Sequence, residues 1–187
     1  MLNPIKIYGT WDDGIVLDNH MIKSVFLGYD ENGKEMFENT RTELGELIYN
    51  LKYKNKKENV TKIINLIKDQ LEKLKLKEKI DIVIPVPPSK KSRKYQPVFE
   101  LAKEIAKYLK KEYEENILSK KSMLEVKDGY NIVGTIEQIK KINKKSNILI
   151  IDDLYSTGKT LNETCKILKK DNNVNKIYCI AMTKTKG

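Results

Sequence analysis

The sequence predicts an α/β protein, a parallel sheet flanked by helices, preceded by a small β-rich N-terminal unit. Three observations carry this expectation. Two apolar runs, "KIDIVIPVPPS" at 79–89 and "NILIID" at 147–152, read as strands buried on both faces. Each is followed by a stretch of helical period. A third run, "KIYCIAMTK" at 176–184, closes the chain. Strand, helix, strand, helix, strand gives a parallel sheet covered on both sides.

Residues 5–37 alternate in the manner of short strands, and Asn32-Gly33 within "DENGK" suits a tight hairpin because both residues tolerate positive φ. Residues 1–40 are therefore expected as a β-rich N-terminal subdomain and 41–187 as the α/β core. Thr40 followed by Glu43 fits a capping box, with Leu44, Leu47, Ile48 and Leu51 at helical spacing behind it. A second helix from about Asn59 carries Val60, Ile63, Ile64, Ile67, Leu71 and Leu74 on one face. After the first core strand, "PVFELAKEIAKYLKKEY" at 97–113 turns Val98, Leu101, Ala102, Ile105 and Leu109 inward. Residues 116–145 show no firm period beyond a short strand near 116–118. A lysine-rich functional loop and a surface helix both fit that stretch. The strand 147–151 and a helix with Leu161, Cys165, Ile167 and Leu168 complete the core.

Composition narrows the classes of function. A chain of 187 residues can hold one domain with a sizeable core. No apolar stretch approaches the roughly 20 residues that span a bilayer. The start, "MLNPIKIYGTWDDG", lacks a basic segment followed by an apolar one, so a cytoplasmic protein without a membrane partner is expected. Cys165 and Cys179 form no CxxC and are expected as small buried residues. With His20 as the single histidine, a Cys/His zinc site cannot be assembled; His20 is expected at the surface or in the N-terminal unit. The net charge of +10 raises a nucleic-acid reading. Yet of 36 basic residues only Arg41 and Arg93 are arginines, and DNA readers favour arginine's bidentate contacts. The scattered lysines read as compositional bias and support DNA binding only weakly.

The chemistry concentrates in "NILIIDDLYSTGKT" at 147–160. A Walker loop needs GxxxxGK[ST], and the position of its first glycine is Asp153. Carboxylates where amides should meet a triphosphate exclude that reading. A receiver domain also places paired acids after a strand, but only 34 residues follow Asp153, too few to complete one. Asp152 and Asp153 instead emerge at the carboxyl edge of a buried strand, where open α/β sheets bind ligands. Carboxylates are acceptors, and a ribose 2′,3′-diol offers two donors. The following loop turns into a helix start. Its amides, the hydroxyls of Ser156, Thr157 and Thr160, and the helix dipole make a monophosphate cradle, with Gly158 allowing close approach. A diol site beside a monophosphate cradle describes a ribose 5-phosphate.

This stretch resembles the binding signature of the type I phosphoribosyltransferases. From about Leu44 onward the chain resembles the competence protein F (ComF) family of that class, through "LIYNLKYK" at 47–54, "PVPPSKKSRKYQPVFELAKEIA" at 85–106, "NIVGTI" at 131–136 and "ILIIDDLYSTGKTL" at 148–161. The cysteine-rich zinc module usual in that family is missing here, so its metal does not carry over. The resemblance implies a type I phosphoribosyltransferase-like fold that binds phosphoribosyl pyrophosphate (PRPP) with Mg²⁺ and transfers phosphoribosyl to a nitrogen acceptor. Asp152 and Asp153 would hold the ribose, with the Mg²⁺ of PRPP near them. Tyr155, Ser156, Thr157, Gly158, Lys159 and Thr160 would hold the 5-phosphate. Pro87, Pro88, Ser89 and Lys90 would meet the pyrophosphate, with Lys91, Arg93 and Lys94 adding positive potential. A loop around 119–131 would close over the site, carrying Lys120 and Lys121.

The acceptor is unidentified, and no residue is nominated as general base. Residues 1–40 would form the hood against which the acceptor docks, and Tyr8, Trp11 or Tyr29 could stack a flat base there. A homodimer is compatible with this reading. Two rivals stay open: a non-catalytic PRPP- or nucleotide-sensing protein, and a competence-related accessory that handles DNA.

Overall fold

The computed structural model describes residues 1–88, 95–121 and 135–185. Its centre is a six-stranded sheet built from β1 (Ile5–Lys6), β2 (Asp13–Asn19), β10 (Val174–Lys184), β9 (Ser146–Tyr155), β5 (Ile82–Pro85) and β6 (Glu112–Tyr113), in that spatial order. The five strands from β2 to β6 run parallel, and β1 pairs antiparallel with β2 at one edge. The two central strands read as sequence patterning requires: Ile82–Pro85 is buried throughout, and so is Ile148–Ile151.

One face of the sheet packs on α1 (Glu43–Tyr53), α2 (Asn59–Lys73) and α4 (Pro97–Leu109). Leu149, Ile151 and Val83 meet Leu51, Ile63, Ile67, Leu101 and Ile105 there. The other face packs on α5 (Lys159–Leu168), where Ile148, Ile150, Ile82 and Ile84 meet Leu161, Cys165 and Leu168. A two-stranded ribbon of β7 (Leu118–Lys120) and β8 (Ile136–Gln138) joins that layer through Leu118 and Ile136. The short α3 (Leu76–Lys79) leads into β5. Cys165 and Cys179 are buried in this second core.

The N-terminal region divides differently from the 1–40 expectation. Strands β1 and β2 belong to the main sheet, with β2 parallel to β10 from Tyr178↔Asp13 to Lys184↔Asn19. Only β3 (Met21–Tyr29) and β4 (Glu35–Arg41) stand apart, as an antiparallel hairpin. Its loop spans more than the expected Asn32-Gly33 turn: Gly33 takes a φ of 74°, while Asp30 Oδ1 accepts from the amides of Asn32 and Lys34. Periodicity cannot tell a strand pairing locally from one that returns to a distant partner, and β2 is of the second kind.

The cap of α1 also differs. Thr40 sits in β4 opposite Lys23, so the capping role passes to Thr42, whose Oγ1 accepts from Gly45 N at 2.9 Å. The same hydroxyl donates to Asn19 O at 2.7 Å, tying α1 to the end of β2. A side chain on Gly45 would overlap the His20 carbonyl, so the close approach of α1 to the β2–β3 junction requires glycine.

Leu101 lies at the centre of the first core with no exposed surface. Leu101→Ala is expected to cost about 2–5 kcal/mol, read as a shift of the urea midpoint at unchanged slope. An unchanged midpoint would contradict this packing.

Candidate functional site

The carboxyl ends of β5 and β9 form the crevice on which the site is built. From β5 the chain leaves through α4 toward β6, on one side of β5. From β9 it leaves through α5 in the opposite direction, to β10. The two helices accordingly lie on opposite faces. Such a reversal opens a gap beyond the strand ends, because neither connection covers it. Pro87 and Pro88 follow β5 at this gap. Asp152 and Asp153 stand beside it in the last part of β9, which extends through them to Tyr155.

Alternation along a strand sends adjacent side chains to opposite faces. Asp153 continues the row of Leu149 and Ile151 toward α1, where its Oδ2 meets Lys52 Nζ at 2.8 Å. Thr183 Oγ1 also donates to the Asp153 carbonyl, at 3.4 Å. Asp152 continues the row of Ile148 and Ile150 toward α5, and its Oδ1 accepts from Leu154 N at 3.5 Å. Burial, and after it the neighbouring negative charge of Asp153, push the Asp152 carboxyl up to about 7. Burial lowers the Lys120 ammonium from its ordinary value, and the charge of Asp152 opposes that shift. Lys52 therefore pairs with Asp153 and also acts on Asp152, lowering its carboxyl against the upward push of burial.

Two cavities meet at Asp152. One of about 180 Å³ is lined by Asp152 and by Leu154 through Leu161, which brings Tyr155, Ser156, Thr157, Gly158, Lys159 and Thr160 around one space. Gly158 takes a φ of 73°, and a Cβ there would lie 2.7 Å from the Tyr155 hydroxyl oxygen. The N-terminus of α5 has no side-chain cap. Its first turn is tethered instead from β1–β2: Thr10 N donates to Asn162 Oδ1 at 3.0 Å, and Thr10 Oγ1 to Asn162 O at 3.1 Å. The second cavity, about 370 Å³, is lined by Lys52, Pro87, Pro88, Asp152 and Asp153 together with the start of α4. Asp152, Leu154 and Thr160 border both.

Of the residues singled out from sequence, the structure gathers Pro87, Pro88, Asp152, Asp153 and residues 155–160. Lys120 lies near enough to Asp152 for their charges to interact, whereas Lys121 is exposed and its amide donates to Thr135 O at 2.8 Å. Ser89, Lys90, Lys91, Arg93 and Lys94, and the loop from 122 onward, lie outside the described residues. Trp11 is core, with Nε1 donating to Ile7 O, while Tyr8 and Tyr29 are exposed.

Sequence reasoning missed Lys52 and the contact of His20 with this edge. Lys52 follows Leu44 and Ile48 in the same i, i+4 row of α1, so a lysine closing an apolar row was a readable signal. His20 is half-buried at the carboxyl edge of β2, with Nδ1 3.0 Å from Thr183 Oγ1. Burial, then the charges of Arg41 and Lys52, lower its pKa. No chain signal linked it to this edge, because the contact depends on β2 pairing with β10.

No family model and no curated protein matches the chain. Among solved structures it is similar to an adenine phosphoribosyltransferase, at 14% identity over 85% of each chain with a TM-score of 0.48.

The raised Asp152 carboxyl has a consequence for stability. The folded protein keeps that proton up to about pH 7, whereas the unfolded chain releases it near the ordinary value of 3.8. Across that window the native state binds more protons, so ionisation costs stability as pH rises through it. Asp152→Asn removes this cost and is expected to raise the melting temperature more at pH 8 than at pH 4. Equal shifts at the two pH values would contradict the buried position of this acid.

Proposed function

We propose that the crevice binds PRPP and that the protein transfers its phosphoribosyl group to a nitrogen acceptor, releasing pyrophosphate. The observation that carries the reading is the sharing of Asp152 between two cavities of different character. One is a loop of amides and hydroxyls at an uncapped helix N-terminus, suited to a monophosphate. The other is larger, carries Lys52, and runs toward the Pro87-Pro88 turn. A ribose held at Asp152 would direct its 5-phosphate into the first and the diphosphate on C1 into the second.

In this reading Asp152 accepts hydrogen bonds from the ribose hydroxyls, and the 155–160 loop anchors the 5-phosphate. Ser89 and Lys90 would extend the diphosphate contacts beyond Pro88. The C1–O bond to diphosphate breaks, an N–C1 bond forms, and the acceptor nitrogen loses its proton to water. Positive charge develops on the ribose ring, and the carboxylates at the β9 edge stabilise it. Lys120, whose ammonium feels the charge of Asp152, would help to compensate that acid. The aspartate pair offers the one or two carboxylates that Mg²⁺ accepts from proteins, the rest of its oxygens coming from phosphate and water. Bound there, Mg²⁺ would neutralise the diphosphate leaving group.

Calorimetric titration with PRPP and Mg²⁺ is expected to show saturable binding. Asp152→Asn is expected to weaken it about ten- to a hundredfold, the worth of hydrogen bonds to a charged group. A folded wild type that binds no PRPP would overturn the reading. Saturable binding without pyrophosphate release across a panel of amine and nucleobase acceptors would leave a sensing protein.

A further inference from the structure

From the ion pair at the floor of the larger cavity we infer that Lys52 reads the diphosphate of PRPP, leaving Asp153 for the ligand when PRPP enters; this rests on the reading given under Proposed function. Lys52 Nζ lies 2.8 Å from Asp153 Oδ2, and their side chains are only 24% and 14% exposed. The pair is therefore part of the cavity wall, shared with Pro87, Pro88 and the Gln96-Pro97 start of α4. A diphosphate leading from a ribose at Asp152 toward the β5 turn has to pass this ammonium.

The two partners differ in freedom. Asp153 is fixed by its strand: β9 pairs with β10 through Ala181↔Asp152 and Thr183↔Leu154, and Thr183 Oγ1 holds the Asp153 carbonyl. Lys52 sits near the end of α1 on a flexible four-carbon stem, so it is the member that can turn. Arg41, whose charge also acts on His20 beside this pair, is engaged elsewhere. Its guanidinium stacks 3.7 Å over the Tyr49 ring and pairs with Glu46 at 3.3 Å. Leaving a partly buried carboxylate unpaired is costly. The exchange would keep both charges compensated, with ribose hydroxyls donating to Asp153 while the diphosphate takes Lys52. The resting pair keeps both charges compensated without ligand.

The role is separable from anchoring, because Lys52 borders the larger cavity and not the 155–160 cradle. Titration of wild type, Lys52→Met and Lys52→Arg with PRPP–Mg²⁺, pyrophosphate–Mg²⁺ and ribose 5-phosphate tests it. The expected result is a loss of at least tenfold in Lys52→Met for the two diphosphates, with ribose 5-phosphate within twofold of wild type and substantial recovery in Lys52→Arg. Retained ribose 5-phosphate binding also shows that Lys52→Met is folded. If wild type binds PRPP and Lys52→Met binds it equally well, or loses all three ligands together, the assignment of Lys52 is overturned and the PRPP reading stands. Wild type binding none of the three overturns both.

Discussion

Strand β9 lies between two parallel partners and is covered on both faces, so its side chains must alternate between two separate cores until the helices no longer reach them. Leu149 and Ile151 serve the α1–α2–α4 layer, while Ile148 and Ile150 serve α5. The alternation does not stop where the apolar residues do. It carries Asp153 to the α1 side and Asp152 to the α5 side. Two acids adjacent in sequence therefore enter different surroundings, one held by Lys52 and one left with a raised carboxyl. Shifting β9 by one residue against β5 and β10 would exchange these roles and bring each row of isoleucines and leucines to the wrong layer.

The rest of the site depends on that strand. Because α4 and α5 depart in opposite directions, the edge between β5 and β9 stays open, and the acids meet it from one side while the Pro87-Pro88 turn meets it from the other. The N-terminal strands act on this edge from a distance. Pairing β2 with β10 brings His20 against Thr183, and the β1–β2 connection ties Thr10 to the first turn of α5. The hairpin β3–β4 then projects from the same edge, where Phe26 contacts Tyr29 and Phe37.

What the sequence made legible follows from local rules. Apolar runs bounded by prolines and acids marked β5 and β9, helical spacing marked α1, α2, α4 and α5, and Gly158 marked the turn into α5. The acids and the 155–160 loop were readable together because they are contiguous and their geometry is set within one strand–loop–helix unit. Long-range pairing was not readable. Nothing in residues 13–19 says that they join β10 and not a neighbouring strand, so the place of β2 in the main sheet and the contact of His20 with Thr183 were not readable. Thr40 and Thr42 both suit a helix cap, and the register of β4 against β3 decides between them. Lys52 was hidden in a different way: its row on α1 was visible, but its partner belongs to a strand about a hundred residues on.

In the proposed function the turn from β9 into α5 is a phosphate cradle serving a ribose held at Asp152. Amide chemical shifts of Ser156 through Thr160, followed during titration with ribose 5-phosphate, test it most directly. Saturable shifts are expected, confined to these amides and to the end of β9 around Asp152. Shifts absent there, or spread over surface lysines and abolished by moderate salt, would contradict it.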